Sequence, residues 1–321
     1  MSRRPSLEEK PFVYVPVSKK EPDKKKFISH EVQKGLTGKI YFDLEVVSDY
    51  LFVGSGGYDF RGDKVFYSFF RSKGNLAIPG TSLKGSIRAI AEVISNSCVS
   101  QWAGKSDKKP DEWPSIPNSH RRCENTDRLC PACRIFGMVG KRGMAYAGRI
   151  SFSDVHPLEN IKSDIVKIGD LFPPTVVEKD ERGKGKRKFY GNWQFNPLNN
   201  LNPEKNHRFV EAVSNGAHFK FTLSFSNLLE EELSLILHAM GVDQDYMIKI
   251  GGAKPRCFGT VRFNPLVGSL YKNPIENPTK ITERYIKDFM KKTDLINPEL
   301  LNALREQLRP REDKTCPKGV Y

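Results

Sequence analysis

The chain has 321 residues, 38% of them hydrophobic, and a formal net charge of +14 from 52 Lys and Arg against 38 Asp and Glu. That length allows one large domain with insertions or two small ones, and so basic a balance points to nucleic acid or an anionic surface as partner. No apolar run reaches membrane-spanning length, no signal peptide opens the chain, and six cysteines, three of them clustered, do not make a secreted disulfide framework, so a cytoplasmic protein with no membrane partner is expected.

Residues 1–36 read as a charged N-terminal tail, except that the apolar segment Pro11–Val17 can add an edge strand. Lys39 to Val53 is a strand in which Ile40, Phe42, Leu44 and Val46 alternate with polar positions. Gly54-Ser-Gly-Gly57 breaks it, and a loop from Tyr58 to Asn75 follows, carrying Asp59, Arg61, Asp63, Lys64 and four phenylalanines. Leu76-Ala-Ile-Pro-Gly-Thr-Ser-Leu-Lys-Gly-Ser-Ile-Arg88 then reads as an extended approach, a Pro79-Gly80 turn and a helix start, continued by Leu83, Ile87, Ile90, Ala91 and Ile94 at helical spacing. A helix start exposes N–H groups and a positive dipole end, which suit a phosphate, and Lys84 and Arg88 add cationic donors one turn apart.

Residues 101–146 form an insertion rich in Pro, Lys, Arg and Cys, followed by a second strand at Ala147–Asp154. A second insertion, residues 160–200, holds Pro173-Pro174 and the basic run Lys184–Lys188. A third strand at Gly216–Asn227, a helix at Leu228–Met240 and a fourth strand at Phe258–Phe263 complete the core. Lys280–Lys292 and a helix capped by Asn297, with Pro298 at its first position, make a helical C-terminal extension over residues 266–321. The core order is β-α-β-β-α-β, so the fold class is α+β, ferredoxin-like, over residues 37–265.

Three constellations carry chemistry. His120-x-x-Cys123-x6-Cys130-Pro-Ala-Cys133 presents four nitrogen or sulfur ligands on tight turns, which suits a structural zinc ion in an insertion with few apolar residues of its own. Cys98, Cys257 and Cys316 read as isolated. In Ile250-Gly-Gly-Ala-Lys-Pro-Arg-Cys-Phe-Gly-Thr-Val261, Gly251 and Gly252 free backbone N–H groups to face phosphates, while Lys254 and Arg256 add charge. Lys186, Arg187 and Lys188 beside Phe189, Tyr190 and Trp193 allow phosphate pairing and base stacking together.

The Ile78–Arg88 motif, the Gly148-Arg-Ile-Ser-Phe-Ser-Asp154 strand and the 250–261 loop resemble signatures of the RAMP superfamily of CRISPR systems, closest to backbone subunits of type III RNA-guided effector complexes. The resemblance covers roughly residues 38–265 and implies an RRM-type fold with a zinc-binding insertion and a thumb-like one. It implies that Gly80, Ser82, Lys84, Arg88, Gly251, Gly252, Lys254 and Arg256, with Lys186, Arg187, Lys188 and Tyr190 of the thumb, contact RNA. The partners it implies are a CRISPR guide RNA, a target RNA, sibling RAMP subunits and the large subunit of the complex. By position alone, Asp63, with Asp59 as rival, matches a loop aspartate that cleaves target RNA with Mg2+ or Mn2+. The alternatives are a guide-binding subunit that cuts nothing and an endonuclease that matures the guide.

Overall fold

Alternation in the first strand puts Ile40, Phe42, Leu44 and Val46 on one face of β1 (Leu36–Val46), each at 0% exposure in this computed structural model, which describes residues 9–100, 116–170, 185–271 and 277–319. Each such side chain removed from water contributes about 1.5–3 kcal/mol, so this face fixes the strand's register. β1 lies between β3 (His218–Leu228) and β4 (Thr260–Tyr271), and β2 (Ile150–Phe152) pairs with the outer side of β3, all antiparallel. Phe42 faces Phe221 across β1 and β3 with their rings stacked at 5.3 Å. The apolar faces of α1 (Gly80–Ile94), which follows β1 in the core order, and α2 (Glu230–Ala239), which follows β3, pack against each other and join the same core. This is the β-α-β-β-α-β arrangement with strand order 2-3-1-4.

The sequence reading departs from the structure mainly outside this core. Most of the expected Tyr58–Asn75 loop is a hairpin: Gly54–Arg61 pairs with Lys64–Phe69, with Arg61 opposite Lys64. Gly62 occupies the first turn position with φ +63°, a conformation glycine adopts without the Cβ penalty. This hairpin joins a second sheet through His207–Ser214, a strand absent from the sequence reading, which in turn pairs with Ser163–Gly169. The second insertion therefore contributes three strands: Ser163–Gly169 to this sheet, Lys186–Tyr190 as the partner of Phe12–Pro16, and Asn192–Gln194. Pro11–Val17 does form a strand, but Val13 and Val15 bury it against the insertion rather than at the edge of the main sheet. Pro173-Pro174, Lys184 and residues 101–115 lie outside the described residues.

The expected N-terminal tail is docked from residue 9 onward: Lys25 and Leu129 exchange backbone hydrogen bonds of 2.9 and 2.8 Å, and the Tyr146 hydroxyl donates to the Ile28 carbonyl at 2.9 Å. At the other end α3 (Glu283–Met290) and α4 (Pro298–Leu308) form as expected, with Asn297 Oδ1 accepting from the Leu300 N–H at 3.1 Å. Beyond them Pro310–Thr315 pairs in parallel with Asn192–Gln194, and Cys316 forms a disulfide with Cys257. Those two cysteines are thus not isolated; they tie the C-terminal segment to the glycine-rich loop. Among the described residues no helix is long and apolar enough to cross a membrane.

Candidate metal centre and nucleic-acid interface

Four buried sulfurs, from Cys98, Cys123, Cys130 and Cys133, lie within 4.8 Å of one another. Cys98 Sγ is 3.6 Å from both Cys133 Sγ and Cys130 Sγ, close to the about 3.8 Å edge of a tetrahedron with metal–sulfur bonds of about 2.3 Å. Cys98 leaves the C-terminal end of α1 on a tight turn in which the Ser97 N–H donates to the Glu92 carbonyl at 2.9 Å. Cys130 and Cys133 open the short helix Pro131–Phe136. The expected fourth ligand, His120, is not in the group. Its Nε2 is 2.9 Å from Asn96 Oδ1 and its Nδ1 3.1 Å from Ser119 Oγ, so both ring nitrogens are occupied elsewhere. Burial, with Arg187 and Lys24 nearby, lowers its pKa. The His120 backbone carbonyl accepts from the Val99 N–H at 2.8 Å beside Cys98.

Two of the sulfurs accept hydrogen bonds from N–H donors. The Cys130 N–H donates to Cys123 Sγ at 3.3 Å and Arg88 Nη2 donates to Cys133 Sγ at 3.3 Å. Crowding divides the four: hydrogen bonds with Cys123 and Cys130 push Cys98 and Cys133 up, while hydrogen bonds from the other three hold Cys130 well below the usual thiol range despite its burial. An all-sulfur, water-excluded tetrad with N–H donors aimed at it can chelate a soft divalent cation.

Several cations expected on RNA instead serve the fold. Arg88 donates to Glu92 at 2.9 Å, to the Gly137 carbonyl at 2.9 Å and to Cys133. Arg187 donates to the same Glu92 at 3.0 Å and to the Ser97 and Cys98 carbonyls, bracing the turn that presents Cys98. Arg256 is 2% exposed and donates to the Pro317 carbonyl at 2.7 Å and to the Asp170 carbonyl at 3.2 Å, holding the C-terminal segment. At the start of α1 the Gly80 N–H donates to Asp154 Oδ1 at 2.9 Å, so the chain supplies a carboxylate where a phosphate was expected. A Cβ on Gly80 would lie 2.2 Å from the Phe152 carbonyl oxygen, so glycine is needed there to bring helix and strand together. Lys84 donates to the Ile150 carbonyl at 3.2 Å, and burial, then the charge of Arg88, lowers its pKa. Gly251 and Gly252 pack on the segment before the hairpin: the Gly252 N–H donates to the Phe52 carbonyl at 2.8 Å.

Of the remaining expected contacts, Lys188, Tyr190 and Lys254 line one cavity, whereas Ser82 and Lys186 are not part of its lining. Beyond Ser82 and Gly85 on α1, Ser86 borders a cavity of about 190 Å³ that is also lined by Lys188, Tyr190, Lys254 and Lys249. Lys188 Nζ sits 3.3 Å over the Phe12 ring centroid and 5.9 Å from that of Tyr190. Lys186 stands on the same strand, half-buried. Lys249, which sequence reasoning passed over, donates to the Cys257 and Phe258 carbonyls and to Thr260 Oγ1 at 2.8–3.2 Å. Its pKa falls to about 7, first through burial and then through the charge of Lys254.

Asp63 is exposed at the tip of the hairpin and Asp59 exposed on its outer strand, where Asp59 Oδ1 accepts from the Phe60 N–H at 2.8 Å; neither belongs to the cysteine group. Tyr58 and Phe60, 60% and 71% exposed, share this hairpin.

The sequence matches the family model of the RAMP superfamily over residues 43–262, a span running from β1 to β4 and enclosing the four cysteines. No curated protein matches the chain.

Proposed function

The chain belongs to the RAMP superfamily, and from that premise we propose that it is a guide-RNA-binding backbone subunit of a type III CRISPR effector complex, assembled beside sibling RAMP subunits and the large subunit. The observation that carries this reading is the convergence of α1, the Lys186–Tyr190 strand and the glycine-rich loop on one lysine-lined cavity. Lys188 and Lys254 meet the RNA backbone there, with Tyr190 as a stacking surface. Arg88, Arg187 and Arg256 act at one remove, by holding the walls. A guide varies in sequence, so recognition through phosphates is the appropriate chemistry. The cysteine tetrad holds structural Zn2+, which orders the described part of the insertion between α1 and β2. Target cleavage with Mg2+ or Mn2+ is assigned to Asp63 at the hairpin tip.

Binding of labelled single-stranded RNA across a salt series tests the proposal. The logarithm of the affinity is expected to fall linearly with the logarithm of salt concentration, about 0.7 per phosphate neutralised, with little difference between guide and random sequences. Lys188→Glu and Lys254→Glu are each expected to weaken binding for every sequence. Salt-independent binding, or normal binding by both variants, overturns the reading.

A further inference from the structure

Cys257 and Cys316 form a disulfide, whereas Cys98, Cys123, Cys130 and Cys133 remain unpaired in the buried tetrad. The oxidised pair lies apart from the main core, buried with Trp193 in a small cluster of its own. It joins positions 59 residues apart and ties down a C-terminal segment with modest other support. Pro310–Thr315 is mostly exposed, and among the described residues its ladder partner is Asn192–Gln194, with a register shift beside Trp193. The Cys316 N–H donates to the Gln194 carbonyl at 2.9 Å, the Pro317 carbonyl accepts from Arg256 at 2.7 Å, and Lys314 pairs with Glu9 at 2.8 Å. An exposed two-stranded pairing of this kind opens locally at lower cost than a core strand.

The other sulfur of the pair belongs to the glycine-rich loop. Ala253 and Cys257 take φ of +52° and +65° on either side of the turn Lys254–Arg256. A residue with a Cβ is disfavoured there, so the conformation lasts where the surroundings impose it. The disulfide holds Cys257 from the C-terminal segment, and the bond from Arg256 to the Pro317 carbonyl ties the same turn to the same segment. Lys254, in this turn, lines the cavity together with Lys188. One covalent bond therefore links the C-terminal segment to the placement of a cavity lysine.

We propose that Cys257–Cys316 is a thiol–disulfide exchange site that takes a dithiol reductant, and that its reduction releases the C-terminal segment from the glycine-rich loop. Local opening of Pro310–Thr315 exposes Cys316 Sγ. Cys257 stays behind in a loop with bonds of its own: its carbonyl accepts from Lys249 at 2.9 Å, and the Gly259 N–H donates to the Tyr50 carbonyl at 2.9 Å. A thiolate of the reductant attacks Cys316 Sγ, the S–S bond breaks, and Cys257 leaves as a thiolate that takes a proton from water. The reductant's second thiol loses its proton and attacks the reductant's own sulfur in the mixed disulfide, and Cys316 leaves as a thiolate and is protonated. The protein gains two electrons and two protons, and the dithiol becomes a disulfide. Closure is the reverse reaction, with a disulfide as oxidant. With the bond open, the turn relaxes from positive φ and Lys254 leaves the cavity, so affinity for RNA falls. The release goes beyond the RNA-binding reading, and the change in affinity rests on it.

The test treats the full-length protein, prepared without chelators or denaturant, with thioredoxin regenerated by its reductase and NADPH. About one NADPH is expected to be consumed per chain. Trypsin is then expected to cut the segment carrying Arg311 and Lys314 at least about tenfold faster than in the oxidised protein. Long single-stranded RNA is expected to bind at least about fivefold more weakly. Cys316→Ser is expected to match the reduced parent and to consume no NADPH. Circular dichroism and thermal melting establish that it is folded, and the oxidised and reduced parent give the same comparison without a substitution. NADPH consumption that begins only after denaturation makes the pair an inert staple and overturns the proposal. So does reduction that leaves the segment as resistant to trypsin as before, or a response that persists in Cys316→Ser. Release of the segment with unchanged RNA affinity overturns the coupling to Lys254. Release with no RNA binding in either state supports the exchange site and overturns the RNA-binding reading instead.

Discussion

Arg149 and Glu232 form an ion pair with neither side chain exposed, Arg149 Nη2 donating to Glu232 Oε1 at 2.5 Å. Arg149 comes from the Gly148-Arg-Ile motif leading into β2, and its Nε also donates to the Arg134 carbonyl at 3.0 Å. Glu232 is in the first turn of α2, where its other oxygen accepts from the Leu229 N–H at 3.0 Å. The pair therefore locks the second strand, the cysteine-bearing helix and the start of α2 into one unit.

Removing one partner leaves the other charge buried and uncompensated. Glu232→Gln is expected to destabilise the protein by about 3–5 kcal/mol in chemical denaturation, and Arg149→Met by a similar amount. The double variant should recover part of that loss, because it removes both charges of the pair and leaves only Arg134, 4.0 Å from Glu232 Oε1, as a buried cation. A single variant within about 0.5 kcal/mol of the parent would show that the pair is not load-sharing in this way.

For the metal centre, zinc is expected to copurify at about one equivalent per chain. Cys98→Ser is expected to lower the zinc content sharply and to destabilise the insertion, whereas His120→Ala is expected to keep the metal. Elemental analysis of protein prepared without chelators reads both. Retention of zinc by Cys98→Ser together with its loss in His120→Ala would restore the ligand set suggested by spacing alone.

That reversal shows what is legible in a sequence. β3, α1 and the Asn297 cap follow from local periodicity and local hydrogen bonding and stand where alternation and helical spacing put them, whereas the strand expected over Lys39–Val53 ends at Val46, and Tyr50–Leu51 pairs with His207–Ser214 in the second sheet. Cys98 is 25 residues from Cys123, and only the turn after α1 brings it to the others, so no local spacing marks it. Cys257 and Cys316 are 59 residues apart and meet for the same reason. The hairpin did leave a signal: Gly62-Asp63 sits between runs in which Tyr58 and Phe60, then Val65 and Tyr67, alternate. The glycines at positions 54, 56 and 57 obscured it by reading as a break. The arginines are the hardest case, because composition counts a cation without showing whether a buried carboxylate such as Glu92 has already claimed it.

Acid stability should carry a specific signature from Glu211. It is 3% exposed and accepts from Arg71 at 2.5 and 2.8 Å, from the Ser163 hydroxyl at 2.6 Å and from the Phe69 N–H at 2.8 Å. Burial works to raise its pKa, but these donors overcome it and hold the carboxyl at about 2 against an ordinary 4.5. A carboxyl depressed in the folded state contributes stability that is complete above its unfolded pKa and is lost as pH falls through the folded one. The stability of the parent is therefore expected to fall between about pH 4.5 and 2. Glu211→Gln is expected to cost about 1–3 kcal/mol at neutral pH and to flatten that limb. Asp245, also held at about 2 but by arginines on a partly exposed surface, should leave only a shallow residual slope. An unchanged acid limb in Glu211→Gln would place the dependence elsewhere.

The sharpest expectation concerns Asp63. Among the described residues it stands at the outermost point of the hairpin, preceded by Gly62 at φ +63° and followed by half-buried Lys64, whose ammonium lies 5.5 Å from the Phe209 ring centroid. The turn holds the carboxylate clear of the protein, with Tyr58 and Phe60 exposed on the strand behind it. One carboxylate is too few ligands for a hard divalent cation, so phosphate oxygens of a bound strand and water would complete the shell. When bound, such a cation stabilises charge developing on the scissile phosphate and can activate an attacking hydroxyl. In the proposed function Asp63 would hold its oxygens at that phosphate, and the exposed aromatics would stack on bases either side of it. Asp63→Ala in the assembled complex is expected to abolish Mg2+- or Mn2+-dependent cleavage of labelled target RNA by a hundredfold or more, with guide and target binding retained, since its side chain supports no wall of the cavity. Asp59→Ala is expected to be milder, because that carboxylate already accepts from the Phe60 N–H. Full cleavage by Asp63→Ala would move the chemistry to Asp59 or to a sibling subunit, and no cleavage by the parent complex despite tight target binding would make this chain a structural guide-binding subunit.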